Sequence, residues 1–234
     1  MESVFNKKVL IIGATGGIGA ETVKLLKGSQ ADIFATSTSR QKLDDLINKY
    51  ELKNDQCFVV DITLPQDIEN LAQKVGVPDI IINASGIGIL KPVEKLTYED
   101  FNSTIDINLK GTFHVLKSFI PGLKDAKKGL IINLPGVLGK TPMAGAAAYA
   151  ASKYGLNGML KSVREELKRT EVRITNLYLG GTDTPFWDDI DMPVRREKFV
   201  TAKEAAKAVW FLCQQPTSGV VSEMVIQPFN HQAI

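Results

Sequence analysis

A chain of 234 residues with 44% hydrophobic residues, 23% charged residues and a formal net charge of +2 has globular composition and the length of one large domain. A chain of this size buries roughly 70 to 75% of its unfolded surface, so it needs no disulfide or metal to hold a core. The two basic clusters, Lys124 to Lys128 and Arg195-Arg196, are short and free of interleaved aromatics, which argues against nucleic acid as a partner.

No apolar run approaches the roughly 20 residues that span a bilayer. The start runs into an apolar strand after Lys7-Lys8 without the pattern of a signal peptide, so the expectation is a cytoplasmic protein with no membrane partner. Cys57 and Cys213 lie far apart with no C-x-x-C or His-rich neighbour and read as reduced, structural thiols. No linker or composition shift divides the chain, so residues 1–234 are expected to form one domain.

In chain order, Val9 to Ile12 is an apolar run that stops at Gly13, and a helical pattern runs from Gly17 to Gly28. Ala31 to Thr36 reads as a second strand, Arg40 to Tyr50 as a helix, and Cys57 to Ile62 as a third strand. Thr63 with Gln66 fits a capping box opening a helix to about Val75. A strand at Ile80 to Ile82 follows, and Thr97 with Asp100 is expected to cap a helix to about Phe119. Strands at Leu130 to Leu134 and Val172 to Leu179 flank an alanine-rich helix that carries Tyr149. Thr201 with Glu204 caps the last helix, through Trp210, and Val220 to Ile226 closes the series. Seven strands, several of them continuous apolar runs, alternating with six helices predict an α/β fold. It is a Rossmann-type doubly wound parallel sheet with helices on both faces.

In such sheets ligands bind at the carboxyl ends of the strands. The unusual residues collect there: Gly13 to Gly19, Asp61, Asn83 to Gly86, Gly136 and Gly180 to Thr184 all follow strands directly. Gly13-Ala14-Thr15-Gly16-Gly17-Ile18-Gly19 lets the backbone approach a pyrophosphate and aims a helix N-terminus at it. The end of the second strand reads Thr36-Ser37-Thr38-Ser39-Arg40, hydroxyls and an arginine where folds that choose NAD place an acid. That composition suits a 2′-phosphate, so NADP(H) is expected ahead of NAD(H).

Tyr149 and Lys153, four residues apart on a helix, share one face. An ammonium beside a phenol favours the phenolate and is expected to draw the tyrosine pKa down from roughly 10, making the pair a candidate general acid/base.

At this point the sequence resembles the short-chain dehydrogenase/reductase family over nearly its whole length. The glycine motif matches Gly13, Gly17 and Gly19, the strand-end acid Asp61 (followed by Ile62), and the Asn-Asn-Ala-Gly segment Asn83-Ala84-Ser85-Gly86. The helix asparagine of the catalytic set matches Asn108, and the Pro-Gly-x-x-x-Thr element appears as Leu179-Gly180-Gly181-Thr182-Asp183-Thr184. The resemblance implies hydride transfer between NADP(H) and a small-molecule carbonyl or alcohol. Tyr149 would exchange the proton, Lys153 would hold the nicotinamide ribose, and Asn108 would anchor a water. It also implies a homodimer or homotetramer.

One position departs from the pattern. The family's serine about thirteen residues before the tyrosine is Gly136 here, preceded by Pro135. Losing one such donor costs about 2.7 to 4 kcal/mol of a total acceleration of roughly 8 to 23 kcal/mol, which slows an enzyme without silencing it. Thr141, Ser85 or a backbone N–H near Gly136 are candidate substitutes, and the glycine leaves room for a bulkier substrate. The alternative function is an NADP(H)-binding protein with weak or no catalysis, acting as a regulatory or scaffold module. Pro185 to Phe199 is long enough for a lid in which Phe186 and Trp187 either touch substrate or pin the loop. His114 and His231 are poor catalytic candidates. Asp188, Asp189 and Asp191 read as solvated and not as a metal site, and the tail from Gln227 to His231 either crosses a subunit boundary or frays.

Overall fold

The computed structural model describes residues 2–230, so His231 lies outside the described residues. Its strands are β1 (Lys8–Ile12), β2 (Asp32–Ser37), β3 (Cys57–Val59), β4 (Ile80–Asn83), β5 (Leu130–Asn133), β6 (Arg173–Leu179), β7 (Thr182–Asp183), β8 (Val200–Thr201) and β9 (Glu223–Ile226). Seven of them form one sheet in the order β3-β2-β1-β4-β5-β6-β9, with every pairing parallel. Because β1 lies between β2 and β4, the winding reverses there, and the ends of β1 and β4 form the switch point at which sheets of this kind bind ligands.

Helices cover both faces, which is why the central strands are apolar without alternation. Val9, Ile11, Ile80, Ile82 and Leu130 face a core shared with α1 (Gly17–Gly28), α2 (Arg40–Tyr50) and α7 (Ala202–Leu212). Leu10, Ile12, Ile81, Ile131 and Ile174 face the opposite core. That core is shared with α3 (Pro65–Val75), α5 (Gly111–Asp125) and α6 (Ala147–Leu167). Each such side chain, fully buried, contributes roughly 1.5 to 3 kcal/mol. The sheet is therefore a rigid platform for the loops at its carboxyl edge.

The structure differs from the sequence reading in several local places, the first being that the third strand, expected to run to Ile62, ends at Val59. Thr63 does not cap α3: its hydroxyl and N–H both donate to Asp61 Oδ1, at 2.7 and 2.9 Å, and the helix starts instead at Pro65 after Leu64. Proline at the first helical position needs no N–H partner there. The long helix capped by Thr97 and Asp100 is interrupted: α4 (Tyr98–Ile105) passes through a π-helical turn, Asp106–Lys110, into α5. α5 itself runs past Phe119 and through Pro121, because Leu123 beyond the proline is still buried against the sheet. The last strand starts at Glu223 and not at Val220, since Gln215 Oε1 accepts from the Val221 N–H and turns the chain there. β7 and β8 form a short parallel pair that the sequence did not announce.

Candidate active site

The candidate site begins at the glycine turn after β1. Gly13 has φ +79, and a Cβ on it would come within 2.9 Å of the Ser85 nitrogen, so the turn and the loop after β4 are in backbone contact. A Cβ on Gly19 would overlap the carbonyl oxygen of Gly13, and one on Gly17 would come within 2.7 Å of the Thr184 side chain. Only glycines allow this close packing. Helix α1 then starts from Gly16 with no side-chain cap and no acid in its first turn, beside Ile18, so its N-terminal N–H groups stay available to an anion. This cradle fits a dinucleotide diphosphate.

The end of β2 lies alongside. Thr15 Oγ1 and Ser37 Oγ are 2.7 Å apart, and Ser37 Oγ also accepts from the Ser39 N–H. Thr38 is exposed, and Ser39 caps α2 by accepting from the Lys42 N–H. Arg40 is turned aside: its Nη2 pairs with Asp44 at 2.7 Å and donates to Asn54 at 2.8 Å. Asp61 is held by Thr63, and the carbonyl of the buried Ile62 meets His114 Nδ1 at 3.0 Å, which gives that histidine a structural partner.

Beyond β4, Asn83 is buried, donates to Thr112 Oγ1 at 2.9 Å and accepts from the Ser85 hydroxyl at 2.6 Å. The Ala84 N–H bonds the Ile12 carbonyl. Asn108, 1% exposed, sits in the π-helical turn: its Oδ1 accepts from the Ile87 N–H and its Nδ2 donates to the Ile87 carbonyl, both at 2.9 Å. The same Nδ2 donates to Ser152 Oγ at 3.0 Å, and that hydroxyl donates to the Tyr149 carbonyl at 2.7 Å. Ser152 is a residue the sequence reading passed over, although its place between the tyrosine and the lysine was the available signal. The three candidate catalytic residues and Gly86 converge: a Cβ on Gly86 would lie 3.0 Å from Asn108 Oδ1 and 3.4 Å from Lys153 Nζ.

Tyr149 and Lys153 share one face of α6, with Nζ 5.4 Å from the phenol ring centroid. Their titration differs from expectation. Tyr149 keeps partial exposure as a residue, but protein atoms crowd its hydroxyl, and this burial pushes its pKa up instead of letting Lys153 draw it down. Burial also pushes Lys153 down to about 8. Its ammonium donates to the Leu134 carbonyl at 3.3 Å.

Gly136, thirteen residues before Tyr149, has φ +72, and a Cβ there would lie 3.6 Å from the Leu179 carbonyl oxygen and 3.7 Å from Tyr149 Oη. An L-residue is strained at this φ, so glycine suits the backbone here.

The chain after β6 packs against Gly17, Gly88 and Tyr149. Thr182 Oγ1 donates to the Gly180 carbonyl, Thr184 is buried, and the Trp187 indole donates to the Thr182 carbonyl at 2.9 Å. Phe186 lies on the bare backbone of Gly88 with its ring centroid 5.8 Å from that of Tyr149, and the aromatic row continues through Trp187 to Phe199. Arg196 clasps the loop, donating to Asp183 at 2.7 Å, Asp188 at 2.6 Å and the Thr184 carbonyl at 3.0 Å. Asp188 is thus ion-paired and not merely solvated. In the tail, Pro228 is buried against Gly180, while Phe229 is exposed. Among the described residues no group of three or more His, Cys, Asp or Glu could hold a metal ion, and no helix is long and apolar enough to cross a membrane.

A family model described as short chain dehydrogenase matches residues 7–194. The chain belongs to the short-chain dehydrogenase family. An uncharacterized oxidoreductase of Staphylococcus epidermidis is 31% identical over 97% of this chain and 100% of its own length. A 3-oxoacyl-[acyl-carrier-protein] reductase of Thermotoga maritima is 28% identical over 94% of this chain and 95% of its own. Among solved structures, a metagenomic short-chain oxidoreductase in complex with NADP superposes with a TM-score of 0.82 at 28% identity, over 97% of this chain and 99% of that one. Serine dehydrogenase from Escherichia coli, at 24% identity and a TM-score of 0.84 over 96% of this chain and 99% of that one, shares the short-chain dehydrogenase fold.

Proposed function

We propose that the chain is an NADP(H)-dependent oxidoreductase that interconverts a carbonyl and an alcohol, with Tyr149 as general acid/base and Gly136 in place of the usual serine. The observation that carries this reading is the convergence of Tyr149, Lys153 and Asn108 on the loop after β4, which is itself in backbone contact with the glycine turn before α1. Membership of the short-chain dehydrogenase family and relatives named oxidoreductases support it.

Residues Gly13, Thr15, Gly17, Ile18 and Gly19 would hold the diphosphate. Asp61 and Ile62 would flank the adenine, and Asn83 to Gly86, Gly180, Thr182 and Thr184 would line the nicotinamide side. Ser37, Thr38, Ser39 and Arg40 would meet the 2′-phosphate. For Arg40 this means leaving Asp44, an exposed pair whose loss costs about 0.3 to 0.5 kcal/mol, well below the gain from a charged phosphate contact. The metagenomic relative solved in complex with NADP supports a nicotinamide dinucleotide as the ligand.

When bound, the nicotinamide supplies the hydride to the carbonyl carbon in reduction and takes it in oxidation. Tyr149 supplies the accompanying proton to the oxygen. Its raised pKa keeps the phenol protonated at neutral pH, the form that reduction requires. Lys153, titrating near 8, is mostly cationic at pH 7 and stabilises the phenolate as it forms. Asn108 holds residue 87 and Ser152 in place, so that the loop after β4 and helix α6 keep one geometry.

A cytoplasmic location is part of the proposal and rests on Cys57 and Cys213, both buried free thiols. So is a homodimer or homotetramer, supported by the exposed Phe101, Phe113 and Tyr154 on α4, α5 and α6. Gly136 favours a second reading, an NADP(H)-binding regulatory or scaffold module with weak or no catalysis. The test is NADPH and NADH titration together with NADPH oxidation over a broad panel of aldehydes and ketones. Turnover with tighter NADPH binding supports the enzyme; tight binding without any turnover supports the module.

A further inference from the structure

Five hydrogen bonds run in one direction from the loop after β4 to the first turn of α6. The Ser85 hydroxyl donates to Asn83 Oδ1 at 2.6 Å, and Asn83 Nδ2 donates to Thr112 Oγ1 at 2.9 Å. Thr112 Oγ1 donates to the Asn108 carbonyl at 3.1 Å, Asn108 Nδ2 to Ser152 Oγ at 3.0 Å, and Ser152 Oγ to the Tyr149 carbonyl at 2.7 Å. Asn83, Asn108, Thr112 and Ser152 are all buried. A hydroxyl has one proton, so each of the two hydroxyls inside the chain fixes its sense. Thr112, donating to Asn108, can only accept from Asn83; Ser152, donating to Tyr149, can only accept from Asn108. Bonds aligned in this way and kept from water polarise one another.

The chain ends on a helix start that has no cap of its own. Helix α6 begins at Ala147 after Ala146, whose side chain offers no hydrogen bond, and Tyr149 is the third residue of that turn. Asn108, one link back, lies in the π-helical turn and also bonds both the N–H and the carbonyl of Ile87. We propose that Ser152 and Thr112 are positioning residues for Tyr149: acting through Asn108, they fix the first turn of α6, and with it the phenol, relative to the loop after β4. The inference rests on the general acid/base reading of Tyr149 above. Both hydroxyl protons are committed within the chain, so neither residue is a proton donor to substrate.

The test reads Tyr149 in two ways in Ser152→Ala, in Thr112→Val, in the two combined, and in Thr112→Ser, which keeps the hydroxyl. The first reading is fluorine NMR of protein labelled with 3-fluorotyrosine; the chain has five tyrosines, and the Tyr149 resonance is the one lost in Tyr149→Phe. That resonance is expected to shift or broaden in Ser152→Ala and Thr112→Val and to return to its place in Thr112→Ser. A resonance unmoved in either single variant overturns the proposal. The second reading is steady-state kinetics with a carbonyl that the natural protein reduces. In Ser152→Ala and Thr112→Val kcat is expected to fall roughly ten- to a hundredfold, with the KM for NADPH within a few-fold, and to recover in Thr112→Ser. Because both residues act through Asn108, the combined variant should lose less than the product of the single losses. An unchanged kcat in a folded single variant, or losses that multiply, overturns the proposal, since a purely structural role lowers the unfolding midpoint and leaves the folded enzyme's kcat alone. Should one single variant not fold, the other decides. Silence of the natural protein toward every carbonyl and alcohol contradicts the enzyme reading itself, and the fluorine resonance then decides the positioning by itself.

Discussion

Asn108 grips the backbone of Ile87 at two points, accepting from its N–H and donating to its carbonyl, both at 2.9 Å. This joins the loop after β4 to the helix pair that carries the candidate catalytic residues, and the widened π-helical turn is where the side chain reaches across. Asn108→Leu would leave a buried N–H and carbonyl unpaired, at about 1 to 3 kcal/mol each. Chemical denaturation is expected to show a loss of roughly 2 to 5 kcal/mol, with turnover lost as well. A loss below 1 kcal/mol would mean that the clamp is dispensable.

Lys153 is 4% exposed, and burial lowers its pKa to about 8 from 10.5. Between those values the unfolded chain binds the proton more tightly than the folded one. Stability from this group therefore rises with pH across that window, and below it the buried charge is a constant cost. Lys153→Met is expected to be more stable than the natural protein by roughly 1 to 3 kcal/mol at pH 7 while losing activity. The advantage should shrink as pH approaches 10.5. Tyr149, whose raised pKa gives a slope of opposite sign above its ordinary value near 10, is present in both proteins and cancels in the comparison.

Arg196 holds the loop after β7 through contacts to Asp183 and Asp188 that are partly exposed. Such pairs contribute about 0 to 1 kcal/mol to global stability. Arg196→Gln is expected to leave the unfolding midpoint nearly unchanged and to speed proteolytic cleavage between residues 184 and 199. Unchanged proteolysis would show that the aromatic row alone keeps the loop closed.

Gly19 packs its Cα against the Gly13 carbonyl, and a methyl group has no room there. Gly19→Ala is expected to cost roughly 1 to 3 kcal/mol through forced backbone movement. It should weaken NADPH binding by at least about tenfold, read by fluorescence titration, because the same movement displaces the start of α1.

The parts of this molecule legible in the sequence are those with local causes. The glycine turn, the Thr97 and Thr201 caps and the spacing of Tyr149 and Lys153 each declare themselves within a few residues. The apolar strands placed them at one sheet edge. What stayed hidden depends on contacts distant in sequence: the break at Asp106–Lys110 answers to Ile87, and the clasp of Arg196 to Asp183. The raised Tyr149 pKa stays hidden for the same reason, because the density of atoms around its hydroxyl is a tertiary property that helical spacing does not reveal. The Thr63 box failed because Asp61, two residues earlier, competes for its hydroxyl.

The most direct test of the proposed chemistry is Tyr149→Phe, assayed for NADPH oxidation with a carbonyl that the natural protein reduces and, in parallel, for NADPH affinity. Removing one hydroxyl from the α6 face should abolish turnover and leave the affinity within a few-fold. Activity that survives the substitution would contradict the assignment of Tyr149 as the proton donor and, with it, the account of this site.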